Sequence, residues 1–378
     1  MTTSPIDQVL ATSRVVVCVG SGGVGKTTTS ALIAMHAAYR GQRALVMTID
    51  PARRLANALG LDALDDEVQR IDLPDASGEM WATMLDMKQA FDEIVERYAP
   101  DAKTRDAIFS NRFYRYFSTS LAGAQELSAS EKLYEVVASG EWDLVVLDTP
   151  PTTNALDFLD APVRFFEALD SKVFQWAIDT SRRGGLLNMG ARFVTSTLGR
   201  FTGSEFFEEL GEFLGHFSAL FDGFRDRTRA TFRLFADAGT RFVIVTSPDP
   251  LTVDEALYFR RRLDELDVRL GGVVVNRVRR VFAHNAWVDA SLDALADRLG
   301  ALDGGDRIAR ALRLRIARKL LSNAQEFDRL AARDAGVLRD LAGRVEPAPV
   351  VAVPLYASDV HDLEALEQMR RDLASSTA

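Results

Sequence analysis

Hydrophobic positions in this chain fall into two kinds of pattern, short unbroken apolar runs and longer stretches with helical spacing, and the two alternate. Runs rich in β-branched residues occupy Arg14–Val19, Ala44–Ile49, Asp143–Leu147, Arg241–Thr246, Gly272–Val275 and Val350–Val353. None alternates apolar with polar residues, so each predicts a strand buried on both faces, as in a parallel sheet layered between helices. Helical periodicity fills Lys26–Tyr39, Thr252–Asp267 and Trp287–Arg339, the last interrupted at Gly300 to Gly305. The order predicts a doubly wound α/β fold.

Two stretches between strands, about 87–140 and 156–236, carry no strand pattern and predict helical insertions. Phe158 to Phe235 holds 14 of the 22 phenylalanines, which implies an apolar helical subdomain. Within it Phe207, Leu210, Leu214, Phe217, Phe221 and Phe224 follow one helical stripe. Such a stripe suits either ordinary core or a groove for an apolar client. No repeat or long linker divides residues 1–378, so a single domain is expected, with only the proline-rich joint Val345–Pro349 before the last strand.

Composition narrows the classes. A chain of 378 residues with 47% hydrophobic and 26% charged content can bury a large core. Its formal charge of −9 gives no global reason to bind nucleic acid. One cysteine, Cys18, excludes an internal disulfide or a multi-cysteine metal cage. His36, His216, His284 and His361 lack ligand-like spacing. The first residues do not read as a secretory signal, and no run of about 18 apolar residues appears, so a cytoplasmic protein with no membrane span of its own is expected.

Candidate chemistry gathers at strand ends. Gly20-Ser21-Gly22-Gly23-Val24-Gly25-Lys26-Thr27, followed by Thr28, fits the G-x₄-G-K-[ST] phosphate loop and lies between a predicted strand and a predicted helix. Glycines let successive backbone N–H groups close around phosphates, Lys26 reaches the β- and γ-phosphates, and Thr27 offers a hydroxyl to Mg²⁺. Asp148 ends the run Leu144–Leu147, where ligands sit on open α/β sheets, and is the candidate second Mg²⁺ ligand. The stiff turn Thr149-Pro150-Pro151-Thr152-Thr153 after it can sense a γ-phosphate. Asp50 ends another strand, before Pro51-Ala52-Arg53-Arg54; spacing leaves it open as a water-positioning carboxylate or a helix N-cap. Together these residues predict binding and hydrolysis of Mg²⁺-ATP.

Taken together, GSGGVGKTT, TIDPARRLA and DTPPTTNALDFL resemble the deviant-Walker ATPases, and among them the arsenite-pump and tail-anchored-protein-targeting ATPase family. Ser247-Pro248, Gly272-Val273-Val274-Val275-Asn276-Arg277 and Val353-Pro354-Leu355-Tyr356 extend the likeness over nearly the whole chain. The resemblance implies that Asp50 positions the attacking water within a first switch with Pro51. It makes Asp148, Thr149, Pro151 and Thr152 the second switch, and passes adenine contacts to Asn276, Pro354 and Leu355. Four departures stand out. The family's loop generally has Lys where this chain has Ser21, a lysine that reaches across a dimer to the partner's nucleotide. Its second switch usually continues Gly-His, here Thr153-Asn154. Its zinc-joining cysteine pair and its metalloid-binding cysteines are both absent.

The resemblance therefore implies an ATP-hydrolysing switch that couples Mg²⁺-ATP to dimer rearrangement and to an apolar client or membrane-protein partner. Because of Ser21, the expected dimer is a heterodimer with a lysine-bearing paralogue in preference to a homodimer, with Arg53 or Arg54 as the local alternative source of charge. An ATPase subunit energising a membrane anion transporter and a weakly hydrolysing nucleotide-binding regulator are the other readings.

Overall fold

Every unbroken apolar run becomes a strand, and their neighbours in space follow from the helices that must cover both faces. The computed structural model describes residues 4–50, 52–120, 124–149, 209, 212–213, 215–217, 220–280, 291–302, 307–360 and 362–375. In order these form α1 (Pro5–Leu10), β1 (Val15–Val19), α2 (Lys26–Tyr39), β2 (Arg43–Thr48), α3 (Arg54–Ala58), β3 (Gln69–Ile71) and β4 (Glu79–Met84). Next come α4 (Met87–Tyr98), α5 (Ala102–Ser110), α6 (Arg112–Ser120), α7 (Ala124–Ser139), β5 (Leu144–Asp148) and α8 (Phe221–Ala236). The chain continues through β6 (Thr240–Thr246), α9 (Pro250–Glu265), β7 (Leu270–Val278), α10 (Leu292–Ala301), α11 (Arg310–Val345), β8 (Val350–Pro354) and α12 (Leu363–Ser375).

One sheet runs β3-β4-β2-β5-β1-β6-β7-β8, parallel except for the antiparallel edge strand β3. Alternate residues of one strand enter different cores. Val16 and Cys18 face α2 and α12, among Leu32, Ile33, Leu366 and Met369. Val15, Val17 and Val19 face the other way, among Leu133, Phe235, Leu257 and Leu341 of α7, α8, α9 and α11. This two-sided burial is why the strands read as continuous apolar runs. α2 is buried around nearly its whole circumference, from Ala31 to Ala38, and so shows little amphipathic contrast.

β3 and β4 were not expected from the sequence. β4 lies one place from the edge, and its Glu79, Trp81 and Met84 remain half-buried, so polar residues break the apolar run that marks the central strands. β3 is three residues long and pairs only with β4. The described part of the expected insertion 87–140 is built of four helices, α4 to α7. Of the second, residues 209, 212–213 and 215–217 are helical and α8 closes it. Phe91, Ile94, Ile108, Tyr114, Phe213 and Phe217 share a separate apolar cluster, in which Phe213 stacks on Phe217 at 5.3 Å. In the phenylalanine stripe Phe217 is thus buried core, whereas Phe207, Leu210 and Leu214 lie outside the described residues.

α11 reaches back to the sheet through a buried charge. Asp334 is 1% exposed and accepts from the Arg279 backbone N at 3.0 Å and from its guanidinium at 3.1 and 3.2 Å. Arg279→Ala leaves that carboxylate buried with only the amide, and is expected to cost about 3 kcal/mol in urea unfolding. A loss below about 1 kcal/mol would mean that water reaches Asp334 and that it is not a fixed anchor.

Candidate nucleotide site

The loop between β1 and α2 depends on glycine at two close approaches. A Cβ on Gly20 would stand 2.1 Å from the Val245 carbonyl oxygen, and one on Gly25, at φ +97°, 2.2 Å from the Asn276 amide nitrogen. Within the loop Lys26 Nζ donates to the Gly20 and Ser21 carbonyls, each at 2.9 Å. Burial lowers its pKa, opposed chiefly by the Asp148 charge. A buried ammonium resting on two carbonyls at a helix start is poised to exchange them for phosphate oxygens.

Asp148 ends β5 in register with Cys18 and Thr48, fully buried under the loop. Its Oδ2 accepts from Thr48 Oγ1 at 2.8 Å, while Oδ1 is buried with no hydrogen-bond partner. Burial raises its pKa to about 6 against the nearby hydroxyls of Thr27 and Thr48 and the charge of Lys26. An orphaned carboxylate oxygen beside the Thr27 hydroxyl is a donor pair that fits Mg²⁺, which takes few protein ligands and keeps its waters. Among the described residues no three His, Cys, Asp or Glu side chains form a metal cage. Thr149 is held beside this pair by donation from its Oγ1 to the Cys18 carbonyl at 2.7 Å.

Asp50 leaves β2 just above Asp148. Its backbone N donates to Thr48 Oγ1 at 3.2 Å, and its Oδ1 accepts from the Ala52 N at 3.0 Å. The N-cap of α3 is Arg53, at φ 53°, so Asp50 does not hold the helix-cap position. Its Oδ2 instead lies 3.0 Å from the Arg54 guanidinium. One threonine, Thr48, therefore joins the two strand ends, donating to the Asp148 carboxylate and accepting from the Asp50 backbone N.

A cleft of about 310 Å³ opens over these groups, lined by Gly23, Gly25, Lys26, Thr27, Thr28, Asp50, Arg54 and Thr149, and on its far wall by Asn57, Ala58, Arg277, Asp359 and Val360. Asn276 is buried beside the loop and is not among the lining residues, with Nδ2 donating to the Val24 carbonyl and Oδ1 accepting from the Arg277 N, both at 2.9 Å. Pro354 pairs with Val278, and the Leu355 N donates to the Val278 carbonyl at 2.9 Å, which places both on the neighbouring strand end and outside the cleft lining. Ser21 also stands off the cleft, with its hydroxyl donating to Glu255 of α9. Pro51, Pro151 and Thr152 lie outside the described residues.

The anion-transporting ATPase family matches residues 13–287, the span from β1 past the end of β7. The chain belongs to this family. It is an ATPase. Similar proteins include the ATPase get3 of Aspergillus terreus, 27% identical over 263 residues that cover 68% of this chain and 71% of the relative. The ATPase ARSA1 of Chlamydomonas reinhardtii is 28% identical over 289 residues, 68% of this chain and 34% of the relative. The ATPase ASNA1 homolog of Dictyostelium discoideum is 23% identical over 267 residues, 68% and 70% of the two chains. Both the family and the parallel sheet agree with the resemblance drawn from the motifs.

In this family member several cleft residues carried no usable sequence signal. Asn57 and Ala58 belong to α3, just after Asp50, and Arg277 lines the cleft with a left-handed backbone at φ 61°. Asp359 and Val360 arrive from the loop after β8, more than 300 residues from the phosphate loop, so spacing to any motif is uninformative. Among the described residues no helix is long and apolar enough to cross a membrane.

Proposed function

We propose that this ATPase is a nucleotide-driven switch, in which Mg²⁺-ATP in the cleft sets the positions of the turns after β2 and β5 and thereby of the helices joined to them. The observation that carries this reading is the Thr48 hydroxyl, which donates to Asp148 at the end of β5 and accepts from the Asp50 backbone N after β2, and so ties the two turns together. The backbone of Gly20 to Thr28 cradles phosphates, with Lys26 on the β- and γ-phosphates, and Thr27 and Asp148 hold Mg²⁺. When bound, Mg²⁺ neutralises charge on the phosphate oxygens. Asp50 orients the attacking water, and Asn276, Pro354 and Leu355 border the base. Pro51 moves with Asp50 as the first switch, and Thr149 with Pro151 and Thr152 as the second.

The apolar cluster that joins α4, α5 and α6 to Phe213 and Phe217 supports reading both insertions as one helical subdomain of a single ATPase domain over residues 1–378. That subdomain is the client or partner end of the switch. The protein works in the cytoplasm as a dimer, with a lysine-bearing paralogue as the preferred partner. An ATPase subunit of an anion transporter draws support from the family description alone. No basic surplus favours nucleic acid.

Asp50→Asn tests the switch. The amide keeps the shape of the site but orients water poorly, so the variant is expected to bind Mg²⁺-ATP normally and turn it over at least about 100-fold more slowly. Sedimentation velocity should then show the ATP-loaded variant dimeric with its paralogue and the ADP-loaded one dissociated. Equal sedimentation in both nucleotides would overturn the reading.

A further inference from the structure

The Asp50–Arg54 ion pair is not a contact within one helix, since α3 begins only at Arg54 and Asp50 sits in the turn before it. Its two partners differ sharply in exposure. Asp50 is 9% exposed at its side chain and held by two further hydrogen bonds, whereas the Arg54 side chain is 53% exposed and lines the cleft. Arg54 is also one of the charges that lower the pKa of Lys26, so two cations converge on the same volume. Glycine amides of the phosphate loop border that volume. Arg53 is no equivalent: its backbone is left-handed, and it does not line the cleft.

We propose that Arg54 is the γ-phosphate sensor of this ATPase. Without nucleotide its guanidinium neutralises Asp50. A terminal phosphate carries more charge than a carboxylate and accepts two donors of the guanidinium fork, where Asp50 meets it through Oδ2 alone, so it takes Arg54 away from Asp50. The exchange does two things at once. It adds a contact that ATP makes and ADP does not, and it frees Asp50 Oδ2 for the attacking water only when a γ-phosphate is present. Arg54 acts here in ground-state recognition, which is distinct from a transition-state cation supplied across a dimer. The inference rests on the cleft being the nucleotide site.

The test compares Mg²⁺-ATP and Mg²⁺-ADP affinities by calorimetry for the full chain and for Arg54→Gln, Arg54→Lys and Lys26→Ala. Arg54→Gln is expected to weaken ATP by about 10–100-fold while ADP changes by less than about threefold, the size of one charged hydrogen-bonding contact. Arg54→Lys keeps the charge without the fork and should fall between. In steady state the KM for ATP should rise in Arg54→Gln while kcat at saturation stays within about fivefold. ATP and ADP weakened equally, or kcat lost at unchanged KM, would reduce Arg54 to an anchor of the turn and overturn the proposal. Failure of the site reading looks different: Lys26→Ala would then bind both nucleotides as the parent does.

Discussion

Lys26→Ala is expected to abolish nucleotide binding and turnover while leaving the fold intact. Lys26 is 6% exposed, and its ammonium sits on the Gly20 and Ser21 carbonyls within the loop, with no place in either apolar core. Against a phosphate oxygen about 4 Å away, one unit charge is worth about 4 kcal/mol at the effective dielectric of such sites, or about 10³ in affinity. Burial lowers the lysine's pKa, so the empty site already holds this charge at a cost that phosphate relieves and the variant never meets. The variant's melting temperature without nucleotide should therefore stay close to the parent's. The stabilisation of about 2.7 kcal/mol expected from free Mg²⁺-ATP at 100 times its dissociation constant should vanish. Turnover near the parent's rate would remove the phosphate-loop reading altogether.

A second large effect is expected at Ser21. Its hydroxyl is short, stands off the cleft, and is committed to Glu255, so this chain offers no cation from that position to a nucleotide on a partner. Cations placed on the transferring phosphoryl group in related enzymes are worth about 10³–10⁵ in rate. The isolated chain should thus hydrolyse ATP slowly, and a paralogue with lysine at the matching position should raise turnover toward that range. Ser21→Lys should let the chain accelerate its own homodimer, although Glu255 beside the new ammonium will absorb part of the gain. Turnover measured alone, with the paralogue and with Ser21→Lys separates the cases. Brisk hydrolysis by the isolated chain, unchanged by either addition, would reject a missing trans cation.

The amino-acid sequence by itself determined the six strands β1, β2 and β5 to β8, the glycine-rich loop between β1 and α2, and the acidic residues at the ends of β2 and β5. Unbroken apolar runs occur only where helices cover both faces of a sheet, and a glycine-rich loop between strand and helix has few other uses. It did not disclose β3 and β4, because β3 is only three residues long and β4 carries Glu79 and Trp81 half-buried among its apolar residues, so neither shows an unbroken run. Nor could spacing choose between a water-positioning carboxylate and a helix cap for Asp50, since both precede a helix. Tertiary structure removed the cap reading by putting Arg53 at the N-cap, and set Arg54 beside the carboxylate. The far wall of the cleft is likewise a product of the fold: Arg277, Asp359 and Val360 meet Lys26 and Thr27 only because β6, β7 and β8 lie side by side with β1. Local pattern records which surface each residue buries, whereas a site assembled from strand ends depends on strand order, which no local pattern encodes.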